Sequence, residues 1–161
     1  MSYLIGTKNA DWLSVNDGFG PTPPFPSPDP STIIGKAGDD ILSGGVADDL
    51  IKGGRGNDLL YGMLGDDILR GGRGADFLSG YDGDNTLTGG RGADQFVFVA
   101  GFGFSTVTDF GRGHDKIIIS STDPNVDVVY DKISHEIAVD GVTVGVIHGD
   151  TVHNNDIIIV G

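Results

Sequence analysis

The stretch GGRGNDLLYGMLGDDILRGGRGADFLS, residues 53–79, decides how this chain folds. It is three nonapeptides in tandem. Reading outward at the same phase extends them to seven unbroken units over residues 35–97: GKAGDDILS, GGVADDLIK, GGRGNDLLY, GMLGDDILR, GGRGADFLS, GYDGDNTLT and GGRGADQFV. Position one is Gly in all seven, and position four is Gly in six with Ala47 in the other. Position six is Asp40, Asp49, Asp58, Asp67, Asp76, Asn85 and Asp94, and position eight is Leu42, Ile51, Leu60, Leu69, Leu78, Leu87 and Phe96. Of the chain's 28 glycines, 17 fall in this segment, so the glycine excess is phased and does not signal a disordered composition. A repeat at a short fixed period means a solenoid.

Each unit reads as a turn followed by a very short strand. The first six residues suit a backbone that visits positive φ, and the last three place one apolar side chain between two outward neighbours. Two units make one coil, and coils stack at strand spacing, about 4.7–4.9 Å. One edge of the stack then carries Asp40, Asp58, Asp76 and Asp94, and the opposite edge carries Asp49, Asp67 and Asn85. Carboxylates stacked this closely repel unless a cation lies between them. A hard divalent ion takes six or more oxygens, which an Asp and the carbonyls of a Gly-rich turn supply, so calcium fits. Zinc does not, because the chain has no Cys and only 4 scattered His.

Composition narrows the function classes further. Acids outnumber bases 23 to 10, a formal charge of −13, which argues against nucleic acid or an anionic membrane as a partner. No apolar run is long enough for a membrane span. The opening residues, Met1 to Trp12, have neither a basic n-region nor an apolar h-region, so a Sec-type signal peptide is not expected. Without Cys there is no disulfide framework and no thiol nucleophile. His114, His135, His148 and His153 form no recognisable constellation, and Ser105, Ser120 and Ser121 have no nucleophile-elbow context. No catalytic residue and no organic cofactor site is assigned, and the chain is read as a non-enzyme.

The nonapeptides resemble the RTX, or hemolysin-type, calcium-binding repeat family. The resemblance implies an all-β fold, a right-handed parallel β-roll of nonapeptide repeats with a C-terminal capping β-structure. It also implies ions held between turns of neighbouring coils by the position-six carboxylate and the carbonyl oxygens of positions two and four. Carried over by position, the ligands on the first edge are Lys36, Gly38 and Asp40, then Gly54, Gly56 and Asp58, then Gly72, Gly74 and Asp76, then Gly90, Gly92 and Asp94. On the second edge they are Gly45, Ala47 and Asp49, then Met63, Gly65 and Asp67, then Tyr81, Gly83 and Asn85. Lys36, Ala47, Met63 and Tyr81 depart from the pattern but keep a backbone carbonyl, whereas Asn85 loses a charge. Counting gaps between stacked units gives three ions on one edge and two on the other, about five Ca2+ in all, with more expected at the ends. The family implies secretion to the outside of the cell by the type I route, without a cleaved N-terminal signal, and folding on meeting extracellular calcium.

Three regions follow from these patterns. Residues 1–34 form an N-terminal cap with a diverged first repeat, GTKNADWLS at 6–14, which puts Asp11 on the edge of Asp40; the Pro-rich stretch at 19–30 is an enlarged turn. Residues 35–97 are the roll. After Phe96 the period of nine is expected to stop, and residues 98–161 read as β-strands that cap the open end, with a hairpin at Asp140-Gly141. DIIIVG at the C-terminus resembles the ending of type I secretion substrates and serves equally as a last strand.

Two stripes remain. Arg55, Arg73 and Arg91 recur at position three of alternate units and should form a ladder; its expected fate is pairing with nearby carboxylates, and the alternative is an acidic polysaccharide, as for the R-modules of alginate epimerases. Trp12, Ile41, Leu59 and Phe77 at position seven form an outward apolar row, which the cap or a second copy of the chain should cover, the latter as a homodimer. The function read from all this is a calcium-binding secreted β-roll with a structural, surface or matrix role. The alternative is a polysaccharide-binding accessory module of an extracellular enzyme.

Overall fold

The computed structural model describes residues 2–9, 11–14, 29–111, 114–123, 125–149 and 151–160. Strands β1 (Ser2–Ile5), β2 (Trp12–Ser14), β3 (Ser31–Ala37), β4 (Ile41–Ser43), β5 (Leu50–Arg55) and β6 (Leu59–Met63) come first. Then follow β7 (Ile68–Arg73), β8 (Phe77–Tyr81), β9 (Asp84–Arg91) and β10 (Gln95–Val99). Beyond the repeats lie β11 (Phe104–Phe110), β12 (Lys116–Ser120), β13 (Val128–Tyr130), β14 (Glu136–Val139), β15 (Val142–Gly149) and β16 (Ile157–Val160), with a short 3-10 turn at Asn154–Asp156. One sheet runs β1-β3-β5-β7-β9-β11-β15-β14-β13 and the other β16-β12-β10-β8-β6-β4-β2. No α-helix occurs among the described residues, and so none is long and apolar enough to cross a membrane.

The strands alternate between the sheets because the turn comes once per nonapeptide and reverses the chain each time. Equivalent positions meet in register: Ile51 pairs Leu69 and Leu69 pairs Leu87 in one sheet, while Leu42, Leu60 and Leu78 line up in the other. All seven position-eight side chains, with Ile33 before them, are fully buried in one core cluster. Burying each contributes about 1.5–3 kcal/mol. The result is a parallel β-roll, the fold the repeats predict.

The stacking does not end with the seventh unit. Val107 of β11 pairs Leu87 and Ile147 of β15, and Ile117 of β12 pairs Phe96 and Ile157 of β16, all in parallel. The expected loss of period after Phe96 is therefore corrected: the register makes FGRGHDKII, residues 110–118, a further nonapeptide with Ile117 at position eight. Phe110 replaces the position-one Gly, and Asp115 follows Asp94 by 21 residues where interior coils take 18. The antiparallel pairs β13–β14 and β14–β15 border the first sheet. Asp140 and Gly141 turn β14 into β15 with φ of 52° and 76°, the pair of left-handed residues a tight hairpin requires.

At the other end β3 starts at Ser31, and β2 pairs β4 so that Leu13 stands beside Leu42. The enlarged Pro-rich turn predicted at 19–30 lies almost wholly outside the described residues. The apolar row keeps its place, since the register sets Trp12, Ile41, Leu59 and Phe77 side by side. Ile41 is exposed, Leu59 and Phe77 are half-buried, and the Tyr61 ring tilts against Phe77 at 5.7 Å between centroids. The β13–β14 hairpin borders the opposite sheet, so it does not extend the sheet that carries this row.

Candidate metal centre

The turns build the site. In six of the seven units positions two and four both take positive φ: Lys36 and Gly38 at 86° and 115°, Gly54 and Gly56 at 123° and 129°, Met63 and Gly65 at 83° and 110°, and likewise Gly72 and Gly74, Tyr81 and Gly83, and Gly90 and Gly92. A Cβ on Gly56 would strike the carbonyl oxygen of Gly38, and one on Gly74 would strike that of Gly56. The position-four carbonyl of each coil thus faces the next coil's turn, and glycine is required there twice over. Lys36 holds the left-handed conformation with a side chain, at a cost of roughly 1–2 kcal/mol. Lys36 is exposed, so Lys36→Gly forfeits no packing. We expect it to raise the thermal stability of the calcium-loaded protein by up to about 1 kcal/mol, part of the relief being offset by backbone entropy. An unchanged or lower melting temperature would speak against strain at this position.

The position-six carboxylates form a ladder along each edge. On the first, Oδ1 of Asp40, Asp58, Asp76, Asp94 and Asp115 accepts the backbone N–H of the corresponding residue one coil earlier, at 2.7, 2.9, 2.8, 2.9 and 2.9 Å. On the second, Oδ1 of Asp49, Asp67 and Asn85 accepts from Ser31, Asp49 and Asp67 at 2.7, 2.7 and 3.0 Å. The other carboxylate oxygen differs. Oδ2 of Asp40, Asp58, Asp67, Asp76 and Asp94 is buried without a hydrogen-bond partner, and each of these residues is at most 1% exposed. It packs on the position-one glycine of its own unit, where a Cβ on Gly53 would strike Asp58 Oδ2.

A buried charged oxygen left unpaired costs several kcal/mol. Burial accordingly pushes these carboxylates up: Asp67 to about 8, Asp76 to about 7, and Asp58 and Asp94 to about 6. Asp40 and Asp49 are raised for the same reason. Backbone N–H donors oppose the rise in each, and neighbouring carboxylates add to it. Hard oxygens, buried, anionic and short of a positive partner, fit a divalent cation of the calcium type. Among the described residues no three Asp, Glu or His side chains converge as a metal-holding group, which suits a site that draws most of its oxygens from carbonyls.

Most of the residues predicted from the repeats come together in these turns. The unit holding Gly45, Ala47 and Asp49 is the exception, since neither Gly45 nor Ala47 takes positive φ. Its Gly45 N–H instead donates to Asp49 Oδ2 at 2.7 Å. At Asn85 the side-chain amide donates to the carbonyls of Asp82 and Gly83 at 3.4 and 3.3 Å.

Two features escaped the sequence reading. Asp115 extends the first ladder, and its signal is the GRGHD of the diverged nonapeptide. A second ladder runs outside the first at position five, where Oδ1 of Asp39, Asp48, Asn57 and Asp66 accepts the N–H of Asn57, Asp66, Ala75 and Asp84. This outer ladder corrects the expected pairing of the arginines. Arg55, Arg73 and Arg91 do stand in register. The carboxylate contacts of basic side chains among the described residues are nevertheless Lys116–Asp156, an ion pair at 2.9 Å, and His153 Nδ1 at 3.4 Å from Asp156 Oδ2. The physical reason is that the nearby carboxylates turn inward at position six or accept backbone N–H at position five.

A parallel β-roll whose turns stack buried, unpartnered carboxylate oxygens defines a class of cation-dependent solenoid. The family model for the RTX calcium-binding nonapeptide repeat (4 copies) matches residues 31–60 and 61–96. The repeat region of this chain belongs to that family, and its repeats bind calcium. No curated protein matches the chain.

Proposed function

We propose that this is a secreted protein that folds on binding Ca2+ outside the cell and serves as a structural, surface or matrix component, without catalysis of its own. One observation carries the reading: among the described residues five buried Asp oxygens have no hydrogen-bond partner, a shortfall of positive charge that a cation from the surroundings would make good. Cytosolic calcium is scarce and extracellular calcium abundant, which would keep the chain unfolded during export by the type I route and order it afterwards. The test is a titration of the metal-free full chain with Ca2+, and separately with Mg2+, followed by circular dichroism and by mass in solution. Calcium alone should order the chain cooperatively. A β signal indifferent to calcium would overturn the reading, and the mass reports whether the Ile41, Leu59 and Phe77 row joins two copies.

A second reading has its own support. Lys36, Arg55, Arg73 and Arg91 line an open groove of about 470 Å3, and the three arginines have no carboxylate partner among the described residues. A cationic step at every strand spacing, about 4.8 Å, suits a linear polyanion such as an acidic polysaccharide, and an accessory role beside an extracellular enzyme would follow. The triple substitution of Arg55, Arg73 and Arg91 by Ala should abolish retention on immobilised polyuronate and leave the circular dichroism unchanged. Equal retention of both proteins would remove this reading.

A further inference from the structure

The turns are of two kinds, and the difference assigns the cations to positions. In open turns one carboxylate oxygen meets the previous coil's N–H and the other has nothing: these end in Asp40, Asp58, Asp76 and Asp94 on the first edge and in Asp67 alone on the second. In closed turns both oxygens are taken. Asp49 accepts Ser31 N–H and Gly45 N–H, each at 2.7 Å, and Asp115 accepts Asp94 N–H at 2.9 Å and Gly111 N–H at 2.7 Å. Asp11 is closed likewise by Thr7, whose N–H and Oγ1 lie 2.6 and 3.0 Å from its Oδ2.

Sequence explains each closure. Ala47 carries a Cβ that disfavours the left-handed φ its neighbours adopt, and its turn folds back until Gly45 N–H reaches the carboxylate. Phe110 stands where an open turn has the position-one glycine against which Oδ2 packs, and Asp115 turns to Gly111 instead. At Asn85 the neutral amide points its own N–H toward the carbonyl of Gly83, which as a position-four carbonyl would otherwise face a cation, and toward that of Asp82. An N–H aimed at an oxygen already supplies the positive partner that a cation would bring, and displacing it forfeits a charge-assisted hydrogen bond.

We infer that the calcium array is one-sided: four ions along the first edge, beside Asp40, Asp58, Asp76 and Asp94, one on the second beside Asp67, and none at Asp49, Asn85 or Asp115. The ion beside Asp40 lies outside the three-and-two count that unit spacing gives. Asp40 Oδ1 holds the N–H of Asp11, so this ion couples the N-terminal segment to the roll. The second edge is held chiefly by hydrogen bonds.

The inference rests on the calcium reading above, and its test separates the two. Bound calcium per full-length chain is counted by native mass spectrometry at saturating Ca2+, with circular dichroism confirming the fold. The unaltered chain should hold five ions. Asp76→Asn should lose at least one, Asp49→Asn should keep all five, and Asn85→Asp, which turns a donor into an unpartnered carboxylate beside the left-handed Tyr81 and Gly83, should gain one. No bound calcium in the unaltered chain would overturn the calcium reading itself. Calcium bound as expected but lost on Asp49→Asn, or no gain in Asn85→Asp, would overturn the one-sided array alone. Should Asp49→Asn not fold, Asn85→Asp decides.

Discussion

In excess EGTA at neutral pH the full chain is expected to lose most of its β signal, and addition of calcium beyond the chelator should restore it. Each nonapeptide of the roll buries one position-eight side chain completely, for about 1.5–3 kcal/mol. Against that stand nine residues to be ordered, two or three of them glycines with the largest entropy to lose. Five carboxylate oxygens must also be dehydrated with no partner, and residues 35–97 carry 11 Asp against 6 Lys and Arg. Removing the cations strengthens every repulsion within the two ladders. Because each interior carboxylate also accepts the N–H of the preceding coil, the loss of one coil leaves a donor unpaired in the coil before it and an acceptor unpaired in the coil after it, and the transition should be steep. Circular dichroism across an EGTA titration checks this. A roll that keeps its strands with calcium fully chelated would show that packing and hydrogen bonds suffice.

The core was legible because it depends on phase alone. Position eight is Leu, Ile or Phe in all seven units, whereas the apolar row at position seven breaks at Thr86 and Gln95, and all seven position-eight side chains are fully buried. The position-six ladder was legible for the same reason. What periodicity could not show was how an individual turn departs from its neighbours. Ala47 looks harmless when only its carbonyl is considered, yet neither it nor Gly45 takes the positive φ of the other turns, and Asp49 gains a second N–H. Asp115 was hidden by three extra residues ahead of it and by Phe110 in place of glycine, although Gly111, Asp115 and Ile117 hold their repeat positions. The outer ladder was hidden because position five alternates among Asp, Asn and Ala, and only the stacked backbone shows that Asp39 and Asn57 do the same job. That ladder also determines which charges stay free. By occupying Asp39 and Asp48 it leaves Arg55, Arg73 and Arg91 without the partners their sequence neighbours seemed to offer.

Acid should partly substitute for calcium. Four carboxylates that belong near 3.8 in ordinary surroundings are pushed by burial to about 8 at Asp67, about 7 at Asp76 and about 6 at Asp58 and Asp94 in the calcium-free roll. A carboxyl whose folded pKa lies above its unfolded value binds protons more tightly when folded. Its contribution is therefore fully present below the unfolded value, near pH 4, and is lost as pH rises through 6 to 8. Stripped of calcium and kept in metal-free buffer, the chain should accordingly gain β signal as pH falls from 8 toward 5, the reverse of common acid denaturation, because a proton on Oδ2 removes the charge that the fold cannot leave bare. With calcium present the sign reverses, since protons and cations compete for the same oxygens. The calcium concentration at half-folding should then rise as pH falls over that window. Circular dichroism of the calcium-stripped chain in metal-free buffer across pH, and free-calcium midpoints at pH 6 and 8, measure the two slopes. A calcium-free chain equally unfolded at pH 5 and 8 would show that charge is not what keeps it open, whereas opposite slopes would identify the buried Asp ladder as the element both ions act on.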